Sequence, residues 1–549
     1  MRPQAGVRIF WVLFVLLVAV RLPSLAQPAG ADQALYAYVG QRILAGELPY
    51  RDAWDQKPPA VHYTYALLWL IWPDERVVAV ADLVVTVLTA LLVWRLGRRI
   101  GPPGSGEAAA LVFLLLGNPA LGRLGGVRVR AQCEVFIGLA AAAGFLLLHG
   151  SVISGVSRRA AWLAAAAGAA FGAAFLYKYN AGSVLAAAMA AGAWWVTERA
   201  PSERHSLRGW LALTVWMLAG FAASVASMLI VFAAGGALRE LYHATITYNV
   251  FYSGETYEGR FALLRYLLTF PVRHARIDAL WFLGGLGCAF LLASAVVTLF
   301  RGTRTSTGWR WPLRGIPDPM PLLWVAAACL SIAVNGSRGL PQYFVQAYPA
   351  LALAFGVAAG SVWRLTRPRT RLLLVLAVAI AVQRVANFDK VADYTAWDVR
   401  AWTGSLTREA YLARFGGRDS GDKYSALAVH ELAQYLRAHL PADETVLLFG
   451  FSPGALVQSA RESATRFFWS RPLIVGFGEG WPGFGVRGLH DDLVRRRPAL
   501  VVLQRRDWDP DTVDSFTFFM SRPELRGWLE YGYTHAGELG NFVIWKRKD

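Results

Sequence analysis

Asp32-Gln33-Ala34-Leu35-Tyr36 and then Trp54-Asp55-Gln56-Lys57-Pro58-Pro59 follow directly on the first apolar segment of the chain. The two runs set acids and a lysine beside a hydrophobic stretch long enough to enter a bilayer. Ionisable groups at a membrane boundary cost free energy unless something uses them, so the loop over residues 26–76 is the first place to look for chemistry.

The rest of the composition agrees with a membrane setting. With 549 residues, 55% of them hydrophobic, 22 tryptophans and a mean hydropathy of +0.37, the chain is too apolar for a soluble enzyme of its length. Its formal charge of +18 could suggest nucleic acid. The arginines, however, sit in short clusters between apolar runs, and no basic face interleaved with aromatics exists, so no nucleic-acid partner is expected. Cys133, Cys288 and Cys329 each lie inside an apolar segment, which excludes a disulfide framework or a cysteine metal site. Arg2 and Arg8 precede Ile9–Val20, with Ser24-Leu25-Ala26 behind it, a partial imitation of a signal peptide. The apolar run continues almost to Leu25 and other spans follow, so an uncleaved first span is expected.

Runs able to cross a hydrocarbon core recur near residues 7–25, 77–96, 107–122, 131–149, 160–177, 181–197, 209–233, 277–300, 319–335, 343–365 and 370–386, about eleven spans. Alternate connections carry Arg95, Arg98 and Arg99; Arg158 and Arg159; Arg199, Arg204 and Arg208; Arg301, Arg304, Arg310 and Arg314; and Arg364, Arg367, Arg369 and Arg371. The positive-inside rule makes those loops and the N-terminus cytoplasmic. The first loop, residues 236–276 and everything after 387 then lie outside. Tyr177-Lys178-Tyr179-Asn180 leaves little loop between two spans, and losing one there would invert all that follows.

In the first outer loop Leu35, Val39, Ile43 and Leu44 share a helical face, and a second short apolar helix begins at His62 after the double proline. Both are expected to lie in the interface. From residue 388 the pattern becomes that of a soluble α/β unit: a helix over Tyr424–Leu440 and strands over Thr445–Phe449, Ala499–Gln504 and Asn541–Lys546. The expected architecture is a polytopic α-helical membrane domain over 1–387 and an extracytoplasmic α/β domain over 388–549.

Asp32 suits two roles. It could act as a general base reaching both solvent and headgroups, or it could cap the helix starting at Gln33. Lys57, held extended by Pro58 and Pro59, could meet a phosphate or snorkel to anionic lipid. Arg123, Arg128, Arg130, Lys178 and Arg338 stand on the side where topology expects few cations. They suit an anionic leaving group, or structural ion pairs, with Glu134 beside Gln132 able to orient one of them. His62 and His243 could ligate a metal, although single histidines on aromatic stretches more often pack. Gly476-Phe477-Gly478-Glu479-Gly480 lacks the setting of a dinucleotide loop. Asp507-Trp508-Asp509-Pro510-Asp511 lacks the glycine and closing glutamate of a calcium loop. Asn335-Gly336-Ser337 fits a glycosylation acceptor that matters only in a eukaryotic secretory context.

Taken together these residues resemble the polytopic glycosyltransferases of the GT-C class, in particular the bacterial branch of glycosyltransferase family thirty-nine, with its aminoarabinose and protein mannosyltransferases. The resemblance runs through Asp32–Tyr36, Gly46–Tyr50, Trp54–Pro59, Arg130–Glu134, Gly172–Lys178, Gln342-Tyr343 and Tyr348-Pro349. It covers the membrane half and matches the C-terminal half only in type. It implies helices around an outward-facing cavity with interfacial helices at its mouth, a sugar donor on a polyprenyl phosphate, Asp32 as catalytic carboxylate and Lys57 as phosphate-binding lysine. Where relatives carry Asp-Glu and Glu-Lys-Pro-Pro, this chain has Asp32-Gln33 and Gln56-Lys57-Pro58-Pro59. An amide in place of that glutamate removes a metal-capable ligand, leaving Asp55 or His243 as candidates for a divalent ion.

The resulting expectation is an enzyme of the bacterial inner membrane that transfers a sugar to a lipid, glycan or protein hydroxyl on the outer face, inverting at the anomeric carbon. Asp32 would be the base; Lys57, Arg128, Arg130, Lys178 and Tyr343 would receive the lipid phosphate; Tyr36, Asp55, Gln56 and Glu134 would support them. The α/β domain would hold the acceptor or cover the cavity. A flippase for a lipid-linked anion would use the same cations but shows inverted repeats, which this sequence lacks. A polymerase or ligase using lipid-diphosphate glycans is the other alternative.

Overall fold

In the computed structural model residues 3–199, 203–300, 304–305, 308–309, 316–417, 424–508 and 512–548 are described. Arg2, Arg301, Arg310, Arg314, Asp509 and Asp511 fall outside them, as do the side chains of Arg123 and Arg204.

Every apolar run forms a helix, but not every helix is long enough to cross alone. Seven are, from Gly6–Ala26 to Tyr348–Leu365, and Pro368–Val385 with Phe388–Trp402, bent by 65°, counts as an eighth if taken as one span. The run near 107–122 ends at Leu116, where Gly117-Asn118-Pro119 cannot continue an α-helix. The runs near 181–197 and 319–335 become helices of 17 and 15 residues. Among the described residues, seven or eight of the expected eleven runs are thus long enough to cross alone, and the others form shorter apolar helices packed among them.

Close packing within the bundle rests on small residues. A Cβ on Gly168 would lie 1.8 Å from the Met217 carbonyl oxygen, and one on Gly220 would lie 1.9 Å from that of Ala165. The helices Arg158–Tyr177 and Glu203–Ala234 thus touch backbone to backbone, the contact that Ala- and Gly-rich faces permit in a membrane. The outward faces remain apolar: only 11% of the Ser206–Ala234 window is buried within the protein, leaving the rest for lipid.

The first loop folds as two helices, Ala31–Leu44 and Ala60–Ile71. The first does not lie with one face free. Every residue from Gln33 to Gly40 is buried, because the C-terminal half covers the side that the sequence pattern leaves for the interface. That half carries a four-stranded sheet in the order Val446–Phe449, Leu500–Gln504, Phe542–Arg547, Tyr533–Leu539, the first pair parallel and the others antiparallel. Leu503 pairs with Phe449 on one side and Val543 on the other. Tyr36, Trp54 and Tyr65 of the first loop join Phe449, Leu503 and Ile544 of the sheet in one hydrophobic cluster. The two sequence halves share a core.

Candidate functional site

Gly30 opens the Ala31–Leu44 helix and is required there, since a Cβ would come within 2.9 Å of the Val127 carbonyl oxygen. Asp32 consequently sits inside the first turn and makes no capping bond. The capping role is excluded, although an acid in a first turn still gains from the helix dipole. Its Oδ2 instead accepts hydrogen bonds from the side-chain amides of Gln132 (3.3 Å) and Gln342 (3.2 Å). Gln132 is itself fixed: its amide also donates to the Arg128 carbonyl oxygen (3.1 Å), and its Oε1 accepts from the Tyr36 hydroxyl (3.0 Å). The turn before it is strained, with Ala131 at φ 45° and its N–H tied to Asp82 at 2.9 Å. Three distant segments thus converge to aim one carboxylate.

Lys57 is positioned from the other side. Trp54 is fully buried, its N–H donates to the Arg466 carbonyl oxygen and its own carbonyl accepts from the Trp469 indole, both at 2.9 Å. The Lys57 carbonyl oxygen accepts from the Tyr50 hydroxyl (2.8 Å), and Pro58 and Pro59 carry the chain into the Ala60–Ile71 helix. Burial opposes the Lys57 ammonium, but the carboxylates of Asp32 and Asp55 outweigh it and push its pKa up. Among the described residues neither Lys57 nor Arg128 has an acid within ion-pair distance. Both charges are open to a ligand.

Asp32, Tyr36, Asp55, Gln56, Lys57, Arg128 and Tyr343 line one cavity of about 450 Å³. This brings most of the sequence-derived set together. Arg130 is not part of it: its guanidinium turns away to the Ser24 carbonyl oxygen (3.2 Å) and is buried as a strut. Nor does Lys178 reach the cavity. Its ammonium pairs with Glu134 at 2.5 Å and lies 4.4 Å from the centre of the Tyr343 ring, so it acts on the cavity only through that ring. Glu134 faces a second cavity of about 650 Å³ in the membrane half, which also meets Asp82, Arg273, Asp278 and Lys390.

The metal candidates separate. His243 packs at a tilt of 44° against Trp481, with 4.5 Å between ring centres, whereas Asp55 lies 3.3 Å from His62. Burial pushes the Asp55 carboxyl up to about 7 and the His62 imidazole down to about 3, so the pair carries less charge than two exposed groups would. Among the described residues no three histidines, cysteines or acids gather as metal ligands.

The sequence reading missed a whole wall. Tyr424, Phe451, Trp469, Arg471 and Trp508 come from the C-terminal half, and Tyr252 from the 236–276 loop. Glu255 of that loop bridges Arg338 and Arg471 (3.4 Å to the latter) at the same cavity. No local motif marks these residues, since their meeting depends on the tertiary fold.

No family model and no curated protein matches the sequence. Solved structures do match. ArnT from Cupriavidus metallidurans in the apo state aligns over 99% of this chain and 98% of its own, with a TM-score of 0.52 and 15% identity. The same protein bound to undecaprenyl phosphate aligns with the same coverage, TM-score and identity. The chain has the GT-C fold. Alignment over nearly the whole of both chains extends that fold likeness through the C-terminal half, and it makes the chain a multi-pass membrane protein.

Proposed function

We propose that this GT-C protein is a glycosyltransferase that moves a sugar from a polyprenyl phosphate to a hydroxyl of a lipid, glycan or protein acceptor. The observation that carries this reading is the placement on one cavity of the Asp32 carboxylate and the Lys57 and Arg128 cations, which have no ion-pair partner among the described residues. Asp32 takes the proton of the acceptor hydroxyl as its oxygen attacks the anomeric carbon. The new bond forms opposite the bond to phosphate, so configuration inverts, and the bonding pair leaves with the lipid phosphate. Lys57 and Arg128 neutralise that departing charge, with Tyr343 lining the same wall. Two hydrogen bonds donated by side-chain amides to one oxygen of Asp32 leave the other free for the proton. Undecaprenyl phosphate bound to a neighbour of the same fold supports a prenyl-phosphate donor.

The arginine-rich loops support a cytoplasmic N-terminus, with the cavity and the unit over 388–549 on the outer side of the bacterial inner membrane. Lys178 and Glu134 hold Tyr343 from behind instead of touching phosphate, and Arg130 braces the strained turn. The test is movement of radiolabelled sugar from an undecaprenyl-phosphate sugar onto a second molecule by the purified protein. Translocation of the intact donor across vesicles, with no transfer, would establish a flippase and refute the proposal.

A further inference from the structure

The cavity wall opposite in origin to the membrane half is aromatic. Phe451, Trp469 and Trp508 line it, with ring centres 5.1 Å apart for Phe451 and Trp508 and 6.0 Å apart for Phe451 and Trp469. Core packing accounts for Trp469, which is 4% exposed, but Phe451 and Trp508 are only partly buried and face the space that Asp32 and Lys57 share.

The Trp508 ring is also held by a polar network whose burial needs a reason. The Asp507 carboxylate is 0% exposed, accepts the Ser515 N–H (3.0 Å) and takes the Ser515 hydroxyl at 2.5 Å. The Ser515 hydroxyl contacts that of Ser470 (2.6 Å), which accepts the Trp508 indole N–H (3.2 Å). Trp469 is locked in the same manner, its indole N–H given to the Trp54 carbonyl oxygen. A buried carboxylate is costly, and this one ends in fixing the plane of a half-exposed ring. With both indole N–H groups turned into the protein, what faces the cavity is π surface. The Arg471 guanidinium stands 5.6 Å from the Trp508 ring and also lines the cavity.

Rigid π faces beside guanidinium donors match a sugar ring, whose C–H face is apolar and weakly positive while its hydroxyl edge takes hydrogen bonds. We propose that Phe451 and Trp508, backed by Trp469, form the stacking subsite for the donor's sugar ring, with Arg471 at its hydroxyl edge. The C-terminal half, on this view, selects which sugar is transferred, while Lys57 and Arg128 read only the phosphate. The inference rests on the proposed prenyl-phosphate donor.

The experiment compares full-length protein in nanodiscs with its Trp508→Ala, Trp508→Phe and Phe451→Ala variants. The probes are undecaprenyl phosphate alone and undecaprenyl phosphate carrying glucose, mannose or an aminopentose. Wild type is expected to bind one sugar-bearing lipid more tightly than the bare lipid. Trp508→Ala lowers that affinity about tenfold, leaves bare undecaprenyl phosphate within about twofold, and Trp508→Phe recovers most of the loss. Equal weakening of both lipids, or no weakening of either, overturns the stacking subsite while the donor reading stands. A wild-type protein that binds no undecaprenyl phosphate overturns the donor reading itself, and this inference with it.

Discussion

Replacing Asp32 with Asn separates chemistry from binding, and the structure sets the size of each effect. Asn keeps a carbonyl oxygen where Oδ2 accepts the amides of Gln132 and Gln342, at 3.3 and 3.2 Å, so the local fold has no reason to move. Asp32 forms no ion pair among the described residues, but its charge helps hold the buried Lys57 ammonium, so stability should fall by about 1 kcal/mol. The proton acceptor, in contrast, is gone. A positioned general base is worth about 10²–10⁴ in rate, or roughly 3–5 kcal/mol of barrier. Affinity for undecaprenyl phosphate should move the other way: a negative charge leaves a cavity that holds Lys57 and Arg128, so an anionic lipid binds as well or more tightly. The assay measures transfer of radiolabelled sugar from undecaprenyl phosphate to an envelope extract supplying lipid, glycan and protein acceptors. Binding of bare undecaprenyl phosphate to the same preparation is the second readout. An Asn variant that keeps more than about a tenth of wild-type transfer, or that loses lipid binding in step with transfer, refutes the assignment of Asp32 as base.

Lys57→Ala should weaken undecaprenyl phosphate binding by roughly ten- to a hundredfold, the worth of a charge-assisted contact, with thermal stability nearly unchanged. Lys178→Ala should do the reverse: stranding the buried Glu134 carboxylate costs about 3–5 kcal/mol, read as a lower melting temperature in detergent, and adding Glu134→Gln should restore part of it. The Asp55 carboxyl, raised by burial to about 7, binds its proton more tightly folded than unfolded, so its contribution to stability is fully present at low pH, falls as pH rises through about 7, and is lost above that. Asp55→Asn should flatten the melting-temperature profile across that window; an unchanged slope would contradict the shift. Deleting residues 400–549 should abolish lipid-phosphate binding along with acceptor use, whereas a truncated chain that still binds undecaprenyl phosphate would show the halves to be separable.

What the sequence made legible follows from how local each signal is. Apolar length marks helices residue by residue, so each run found its helix, and the wholly buried strands Val446–Phe449 and Leu500–Gln504 came through as short apolar runs for the same reason. Asp32 and Lys57 stood out because charges beside an apolar run demand explanation. Whether a helix crosses depends on breaks such as Gly117-Asn118-Pro119 and on neighbours that complete a short span, which periodicity does not record. The cations divided for a tertiary reason as well. Arg128 and Arg130 are only two residues apart, yet one lines the cavity and the other turns back to the Ser24 carbonyl oxygen. Asp82 escaped notice inside an apolar span, although an acid there is itself a signal, and it turns out to anchor that same turn. The strand Tyr533–Leu539 was unreadable because its residues are mostly exposed and carry no alternation.

The interlocking of the two halves also changes what the C-terminal unit is for. A cap that merely covers a finished cavity would touch its rim and leave the loop beneath intact. Here both backbone groups of Trp54, three residues before Lys57, are bonded by residues of the C-terminal half, through the Arg466 carbonyl and the Trp469 indole. The Tyr38 hydroxyl accepts the Ser463 N–H (2.8 Å), and the Tyr424 hydroxyl donates to the Ala29 carbonyl oxygen (2.6 Å), on either side of Asp32. Stripping that half away would leave the buried faces of Tyr36, Trp54 and the Ala31–Leu44 helix in water and free the loop that aims Lys57. The carboxylate and the ammonium face one space because a second structural unit holds their loop in place, so the site belongs to the joined halves and to neither alone.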